Sequence, residues 1–253
     1  MTIFKTILNT IPRPYLLKMS YLASPLLGLF YKGNTYTDPI DGRKYRKLLP
    51  YGYGEQRPNA LAPGSLSLER HRLIWLYLKN ETDFFTAPKK MLHIAPEQCF
   101  LERFKKMKHI EYTTADLMSP LADVKADVCN LPFQDNAFDV VFCNHVLEHV
   151  TDDAKAMSEL YRVLKPGGLG IFQIPQEIER TTTYEDFSIT SPEERSKHFG
   201  QYDHVRVYGM DYFDKLRAVG FKVDAVKYAQ TIPSDKVTEY CLVPHEILPV
   251  CTK

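Results

Sequence analysis

From residue 91 onward, short apolar runs alternate with amphipathic stretches. The apolar runs predict strands at 91–95, 110–116, 138–143, 169–174, 221–228 and 239–244. The stretches between them predict helices at 97–107, 152–164 and 211–218. The run FDVVFC at 138–143 is mostly apolar, as is typical of a central strand in a parallel sheet. This alternation indicates an α/β fold with an open, mostly parallel sheet and helices on both faces.

The first 66 residues follow a different pattern. Residues 1–33 are apolar and predict a helical arm, whereas residues 34–66 are rich in Gly, Pro, Asn and Tyr and predict turns with short strands. Ser67 is a suitable N-cap for a helix with Glu69 in its first turn. We therefore expect one large domain over 67–253, preceded by two smaller elements.

Composition narrows the function classes. Hydrophobic residues are 44% and charged residues 25% of the chain, which predicts a packed soluble core. The formal net charge is only +1, so we expect no nucleic acid as partner. None of the five cysteines forms a CxxC pair, which favours a reduced protein of the cytoplasm.

The N-terminal arm, residues 1–33, is apolar but interrupted by Pro12, Pro14, Lys18 and Pro25. It lacks the run of about 20 apolar residues that a membrane-spanning helix needs. It also lacks the cleavage site of a signal peptide. Two interpretations stay open, a helix packed on the domain, or a peripheral membrane helix or dimer contact.

Two acidic residues follow predicted strands, at the edge where such sheets bind ligands. Asp116 ends the second strand, where a carboxylate meets the ribose hydroxyls in nucleoside-binding folds. Asp127 stands before an NLPF turn and can accept a hydrogen bond from the adenine amino group. Taken singly, Asp116 also suits a surface strand end, and Asp127 also suits a turn cap.

Together with FDVVFCNHVLEHV (138–150), this order of residues resembles the class I methyltransferases, which use S-adenosylmethionine (SAM). The resemblance implies a Rossmann-like sheet and SAM as the cofactor. It places Asp116 and Leu117 at the SAM ribose. It places Asp127 and Val128 at the adenine. Asn144 and His145 would then face the methyl-donor end of SAM.

The first loop, LHIAPEQC (92–99), departs from that family. His93 stands where the family has an acid, and Ala95 and Glu97 stand where it has glycines. A dinucleotide enzyme needs glycines there so that its backbone can approach a pyrophosphate, whereas SAM has no phosphate. Glu97 at a helix N-terminus can accept from the SAM ammonium group. The loop therefore disfavours a nicotinamide-dependent reductase, and it leaves a non-catalytic SAM-binding protein as a second alternative.

The N-terminal segment resembles the zinc ribbon that precedes a SLERHRL helix in related methyltransferase-like proteins. Its two CPxC knuckles would fall on Asp38-Pro39-Ile40-Asp41 and Ala62-Pro63-Gly64-Ser65. Ala62 cannot bind zinc and Ser65 is a poor ligand, so we expect a degenerate, metal-free ribbon. A divalent metal on Asp38 and Asp41 is the alternative.

Acceptor-side residues are expected in an insertion over 176–208, which follows a strand and suits a substrate lid. His204 can act as general base with Asp203 orienting it, and His145 is a further candidate catalyst. Arg206, Tyr202 and Tyr208 would bind the substrate. The alternative is a polar network that only anchors the lid. The predicted activity is methyl transfer to an O or N atom of a small-molecule or saccharide acceptor.

Overall fold

The computed structural model describes residues 13–52 and 56–253, which form two compact units. The first unit contains the chain up to Glu81 together with 229–244, and the second contains 82–228 and 245–253. Residues 1–12 of the predicted arm lie outside the described residues. The structural division therefore differs from the predicted boundary at residue 67 by one helix and by a returning segment.

The first unit combines helices with two short antiparallel strand pairs. Its helices are α1 (Arg13–Phe30), α2 (Glu69–Glu81) and a short helix at Ser234–Glu239. Its strand pairs are β1 (Lys32–Thr37) with β2 (Lys44–Tyr45), and β3 (Leu49–Tyr51) with β4 (Arg57–Leu61). Tyr45, Leu48 and Ala62 form its small apolar cluster.

The buried Arg72 on α2 joins distant parts of the first unit. Its Nη1 donates to the carbonyls of Ala60 and Ser67, both at 3.0 Å. Its Nε and Nη2 donate to the carbonyls of Tyr240 and Cys241, at 2.7 and 3.0 Å. These contacts assign both α2 and the returning segment to the first unit.

Helix α1 carries large apolar side chains that face away from its own unit. Leu22, Leu26, Leu29 and Phe30 are between 66% and 77% exposed. Among the described residues, no helix combines the length and apolarity that crossing a bilayer requires. The predicted membrane or dimer contact of this helix stays a prediction.

The second unit is built on one seven-stranded sheet. In chain order its strands are β5 (Lys89–Ile94), β6 (Ile110–Asp116), β7 (Val124–Lys125), β8 (Phe138–Cys143), β9 (Leu164–Ile171), β12 (Lys222–Val226) and β13 (Leu248–Thr252). In space their order is β12-β13-β9-β8-β5-β6-β7. The five strands from β9 to β7 run parallel, and β13 is antiparallel to both of its neighbours. The predicted open, mostly parallel, Rossmann-like sheet is confirmed.

The helices of the second unit begin and end at residues with local reasons to stop a helix. They are α3 (Gln98–Lys105), α4 (Asp153–Val163), α5 (Pro192–Phe199) and α6 (Tyr212–Ala218). The side chain of Asp152 caps α4 by accepting from Lys155 N at 2.9 Å. Gly200, with a φ of +83°, ends α5. A two-stranded ribbon, β10 (Tyr184–Glu185) with β11 (Arg206–Val207), lies within the predicted lid.

Two predicted strand positions are wrong. Strand β9 begins at Leu164 rather than 169, because the glycines lie within a strand whose pairing with β8 shifts register. The predicted strand at 239–244 is a helix end and a turn, in which Leu242 N donates to the Val237 carbonyl at 2.9 Å. The closing strand is instead β13.

The core beside β5 is aromatic. Phe100 and Phe104 on α3 are buried, as their spacing predicted, and their rings stack with centroids 5.2 Å apart. Phe142 on β8 lies 6.3 and 6.2 Å from these two rings. This packing holds the start of α3 against the sheet, next to the first loop.

Candidate active site

The strand order reverses between β5 and β8, so a ligand crevice is expected beyond the carboxyl ends of these two strands. The residues just beyond these ends, Ala95 and His145, have positive φ values of 50° and 54°. Their N–H groups donate to Ala115 and Gln173 carbonyls, at 2.8 and 2.7 Å. Non-glycine residues in this left-handed region carry strain and cluster at functional sites.

A hydrogen-bonded carboxylate occupies the first loop. Glu97 Oε2 accepts from His93 Nε2, and Glu97 Oε1 accepts from Asn144 Nδ2 at 3.2 Å. The other ring nitrogen of His93 lies 2.7 Å from the hydroxyl of Tyr112. His93 is fully buried, so it positions Glu97 and does not itself line open space. The structure thus brings together three of the predicted cofactor residues: His93, Glu97 and Asn144.

Two residues that sequence reasoning missed extend this network. Asn144 Oδ1 accepts from Gln173 N at 3.0 Å, and Gln173 Nε2 donates to Glu246 Oε1. Gln173 is fully buried, and its Oε1 has no partner among the described residues. A polar residue inside the apolar run LGIFQI was the signal available for Gln173. For Glu246 there was no signal, because it lies just beyond the strand that was predicted at 239–244.

Among the predicted adenosine residues, Asp116 ends β6 and is half-buried, whereas Leu117 and Asp127 are exposed. Asp116 Oδ1 accepts from the N–H groups of Met118 and Ser119, at 2.7 and 2.5 Å. Leu117 is exposed and lines a depression of about 260 Å³ with Met118. This depression adjoins the carboxyl end of β6.

Asp127 is also exposed, and its Oδ1 accepts from Cys129 N at 2.9 Å. Val128 belongs to the apolar core, so its side chain does not lie beside Asp127 in the open. Both predicted aspartates therefore keep turn N–H groups as partners. Turn capping was the alternative that the sequence left open for Asp127. The second carboxylate oxygen of each aspartate can still contact a ligand.

A second polar cluster follows β8. The turn Leu147–His149 carries Glu148, which is buried, with His145 Nδ1 3.3 Å from its Oε1. The rings of His149 and His204 meet edge to face, with centroids 4.6 Å apart. Asp203 Oδ2 lies 3.5 Å from His149 Nδ1, whereas the ring of His204 bonds to the Phe199 carbonyl instead of Asp203. The structure thus brings His145, Asp203 and His204 to one cluster at the carboxyl end of β8, although Asp203 approaches His149 instead of His204.

Burial and charge set the pKa values in this cluster. Burial works to raise the pKa of Glu148, but the neighbouring His145 and His149 outweigh it and hold that pKa below its ordinary value. Burial lowers the pKa of His204. Burial and the adjacent Asp153 raise the pKa of Tyr208.

Arg206, predicted to bind an anionic substrate, is an internal anchor. It is 1% exposed, and its guanidinium donates to the carbonyls of Leu147, Val150 and Thr151. Its Nε donates to Glu185 at 2.9 Å. Four of its five N–H groups thus donate within the fold, and the buried guanidinium offers no exposed surface to a ligand.

Of the two tyrosines predicted to bind substrate, one is buried and the other is exposed. Tyr208 is buried, and its hydroxyl donates to Asp153 Oδ2 at 2.8 Å. Tyr202 is exposed on the predicted lid. Only Tyr202 is therefore available on the surface. The lid segment is tied to the turn after β8, because Val205 N donates to the Glu148 carbonyl at 2.9 Å.

Three residues at the predicted knuckle positions, Asp38, Asp41 and Ser65, lie close together in the first unit. Asp38 is buried, its Oδ1 accepts from Ile40 N at 3.0 Å, and Ser65 lies beside it. Asp41 Oδ2 accepts from the hydroxyl of Tyr45 at 2.7 Å. Burial and the charge of Asp41 raise the pKa of Asp38. Hydroxyl groups thus surround the two carboxylates at the predicted knuckle positions.

Comparison with known proteins begins with one family. Residues 86–172 match a family described as a methyltransferase domain. This segment includes the first loop and strands β5 to β8, and it ends in the fold just after β9. It therefore contains the crevice-forming residues from His93 to His145 and the turn that carries Glu148.

Curated relatives match over short segments. A 2-phytyl-1,4-naphtoquinone methyltransferase from Nostoc punctiforme is 51% identical over 47 residues, 19% of this chain and 20% of the relative. A ubiquinone/menaquinone biosynthesis C-methyltransferase from Haemophilus ducreyi is 53% identical over 45 residues, 18% of this chain and 17% of the relative. The chain thus spans about a fifth of the length of the curated relatives it matches.

Solved structures share the fold at low sequence identity. An S-adenosylmethionine dependent methyltransferase from Mesorhizobium loti is 14% identical, with 72% of this chain and 98% of that chain covered and a TM-score of 0.50. The [4+2]-cyclase SpnF is 17% identical, with 94% and 95% covered and a TM-score of 0.51. Since one of these two proteins is a cyclase, the fold alone does not specify methyl transfer. The family match and the sheet agree on one statement: this chain carries a methyltransferase domain with the class I, Rossmann-like fold.

Proposed function

We propose that the second unit binds S-adenosylmethionine and transfers its methyl group to an O or N atom of a small-molecule or saccharide acceptor. One observation carries the proposal. Within the methyltransferase domain, the ends of β5 and β8 meet at the strand-order reversal, and a carboxylate, Glu97, is anchored there by His93 and Asn144. A fixed acceptor at this edge suits the ammonium group of SAM.

The same loop disfavours a nicotinamide cofactor. A pyrophosphate needs bare backbone N–H groups at the start of the helix after the first strand. Here Glu97 precedes α3 and brings a carboxylate to that place, which repels phosphate. SAM carries positive charge on its sulfur and its ammonium, so the same carboxylate attracts it.

At the other end of the cofactor, we propose that Asp116 binds the ribose hydroxyls and Asp127 the adenine amino group. Leu117 would cover the ribose side, and the backbone at Val128 would face the adenine. In support, each aspartate follows a strand or turn at the ligand-binding edge and remains solvent-accessible. A carboxylate that already accepts turn N–H groups is also held in one orientation.

At the acceptor end, we propose that the 176–208 segment covers the crevice, with Tyr202 available to a substrate. Holding the acceptor in line with the sulfonium can supply roughly 7–11 kcal/mol of the barrier. His145 is the proposed proton acceptor, because it follows the carboxyl end of β8 and its buried Nε2 has no hydrogen-bond partner among the described residues. None of the five cysteines forms a disulfide bond, which supports the proposed cytoplasmic location.

One curated relative is named for methylation of a naphtoquinone and another for C-methylation in ubiquinone and menaquinone biosynthesis. We carry over methyl transfer alone, because the matched segments are short and the residues that would select an acceptor lie in the lid. The O or N acceptor proposed here therefore differs from the carbon acceptor that the name of the second relative states.

Isothermal titration calorimetry tests the cofactor directly. The wild-type chain is titrated with SAM, S-adenosylhomocysteine, NADH and NADPH, and we expect binding of the first two only. Asp116→Ala should weaken SAM binding by about 1–3 kcal/mol, because ribose hydroxyls lose a charged acceptor. Asp214→Ala is the matched control, since Asp214 is exposed on α6 and pairs only with Arg217.

Three results would overturn parts of the proposal. Unchanged SAM affinity in both Asp116→Ala and Asp127→Ala would remove the site assignment. Binding of NADPH without SAM would establish the reductase alternative. SAM binding without methyl transfer, in a screen of hydroxylated small molecules, amines and saccharides, would favour the non-catalytic alternative.

A further inference from the structure

We propose that Glu148, His149 and His204 bind a first-row divalent transition-metal ion, such as zinc. Each residue offers one ligand atom, and the three ligand atoms lie within 4.8 Å of one another. Two imidazoles with one carboxylate form a ligand set that zinc and iron(II) use in proteins when further coordination positions are left open. The sequence predicted no metal in the second unit.

The hydrogen bonds of His204 leave its Nε2 as a ligand atom. Its Nδ1 lies 3.1 Å from the carbonyl of Phe199. A carbonyl oxygen only accepts, so Nδ1 carries the hydrogen and Nε2 holds a lone pair. Nε2 is buried and has no hydrogen-bond partner among the described residues. Metal-binding histidines are commonly fixed in this way, through the ring nitrogen that does not touch the metal.

His149 repeats the arrangement. Its Nδ1 lies 3.3 Å from the Asp203 carbonyl and 3.5 Å from Asp203 Oδ2. A carboxylate behind a histidine orients the ring and increases its basicity as a ligand. This explains the position of Asp203, which approaches His149 although the sequence had paired it with His204.

Glu148 supplies the charge. It is buried, and neither of its oxygens has a hydrogen-bond partner among the described residues. A buried carboxylate whose oxygens make no hydrogen bond is costly, and a bound cation would remove this cost. Nearby His145 approaches Oε1 without completing a hydrogen bond.

The backbone holds the three ligands in place. Glu148 and His149 are neighbours on the turn Leu147–His149, and the next residue after His204, Val205, donates to the Glu148 carbonyl at 2.9 Å. Arg206 then binds the carbonyls of Leu147 and Thr151, at 3.0 and 2.9 Å. The two ligand-bearing segments are thus fixed to each other before any ion binds.

An ion at this place would have one open side, because the His149 side chain is 32% exposed. We infer that this side binds an oxygen of the acceptor, which rests on the proposed function. The binding of the ion itself does not depend on methyl transfer. Nitrogen ligands favour transition metals, so magnesium should bind far more weakly than zinc.

The test uses full-length, tag-free protein that has been dialysed against a chelator. Calorimetric titration with ZnCl₂ should show one site, and CoCl₂ should produce the visible absorption bands of a nitrogen-bound cobalt ion. His149→Ala should weaken zinc binding by at least about 100-fold, and Asp203→Ala by about 10–100-fold. Glu148→Gln should weaken it as strongly as His149→Ala. His198→Ala is the control, because His198 is an exposed histidine of the same segment.

Zinc binding that survives in both His149→Ala and Glu148→Gln would overturn the proposal, as would its absence from the wild type. Tighter binding of MgCl₂ than of ZnCl₂ would overturn the nitrogen-ligand assignment. Melting curves identify any variant that fails to fold. His149→Ala is the variant least affected by this problem, because the His149 side chain is partly exposed. SAM titration of the same samples separates the two proposals, because loss of zinc with SAM binding intact leaves the proposed function standing.

Discussion

Two buried carboxylates, Asp38 in the first unit and Glu148 in the second, have opposite surroundings. Asp38 is surrounded by Asp41, Ser65 and a tyrosine hydroxyl bound to Asp41, and its pKa is raised by burial and by Asp41. Glu148 is surrounded by histidines, with Asp203 behind one of them. Both keep an oxygen without a hydrogen-bond partner.

The difference shows what burial of an acid requires. Burial and the neighbouring carboxylate of Asp41 disfavour a negative charge on Asp38, and they outweigh the hydrogen bond from Ser65, so the Asp38 site suits a neutral carboxyl group. Imidazoles offer lone pairs and compensate a negative charge, so the Glu148 site suits a cation. The predicted zinc ribbon and the proposed metal site thus differ in ligand chemistry more than in geometry.

The largest expected effect tests how firmly the Glu148 turn is held. Arg206→Met should destabilise the second unit by about 3–5 kcal/mol, because three backbone carbonyls and Glu185 lose a buried charged donor. Urea unfolding followed by circular dichroism measures it, since the single tryptophan, Trp75, lies in the first unit. Arg180→Met removes an exposed ion pair with Glu177 and should change stability by less than about 1 kcal/mol. A stable Arg206→Met variant that loses acceptor binding would restore the substrate role predicted for Arg206.

An intermediate effect tests the Asp38 side of the comparison. Because the folded-state pKa of Asp38 is raised, the folded chain keeps this proton to a higher pH than the unfolded chain does. Wild-type stability should therefore fall as the pH rises above about 4, the ordinary pKa of aspartate. Asp38→Asn cannot ionise and keeps the oxygen that accepts from Ile40, so it should be more stable than wild type by about 1 kcal/mol at pH 8.

Urea unfolding followed by Trp75 fluorescence, at several pH values, measures this difference, which should vanish near pH 4. Asp235→Asn serves as the control, since Asp235 begins an exposed helix of the same unit. A variant less stable than wild type at pH 8 would mean that the charge of Asp38 is needed. The contrast with Glu148 would then disappear.

The smallest effect concerns the first loop, whose glycines are replaced. Ala95 has a φ of +50°, which costs an alanine about 1–2 kcal/mol and costs glycine nothing. Glycine loses part of this gain through the entropy of the unfolded chain, so Ala95→Gly should stabilise the second unit by roughly 0.5 kcal/mol. Ala115→Gly, in the buried part of β6, should instead destabilise it by about 1 kcal/mol. Equal losses in both variants would show that the Ala95 side chain makes contacts that outweigh its strain.

Sequence reasoning correctly predicted those parts of the fold that a local pattern of apolar and polar residues determines. The strands at 110–116 and 138–143 lie as predicted, because a buried parallel strand is a continuous apolar run. The segment 239–244 was also apolar, yet it ends a helix. Its carbonyls at Tyr240 and Cys241 bind Arg72, a contact 168 and 169 positions away that no local pattern contains.

The residues of the candidate site also fall into two groups, those that a local pattern predicts and those that only the fold brings together. Acids at strand ends, such as Asp116, are visible because a strand end is a local feature. The pairing of His93 with Glu97 and Asn144 needs the registry of β5 with β8, and the cluster at Glu148 needs the lid segment to return to its turn. The predicted substrate role of Arg206 found no support for the same reason, since its carbonyl partners lie more than 50 positions earlier.

The long separation between Arg72 and its carbonyl partners has a consequence for synthesis on the ribosome. When Arg72 has been translated, the carbonyls of Ala60 and Ser67 already exist. Another 168 and 169 residues must be translated before the carbonyls of Tyr240 and Cys241 exist. At about 5–20 residues per second, the arginine waits on the order of ten seconds or more for them. During that interval almost all of the second unit is translated. The first unit therefore begins to form before the second and is completed after most of it.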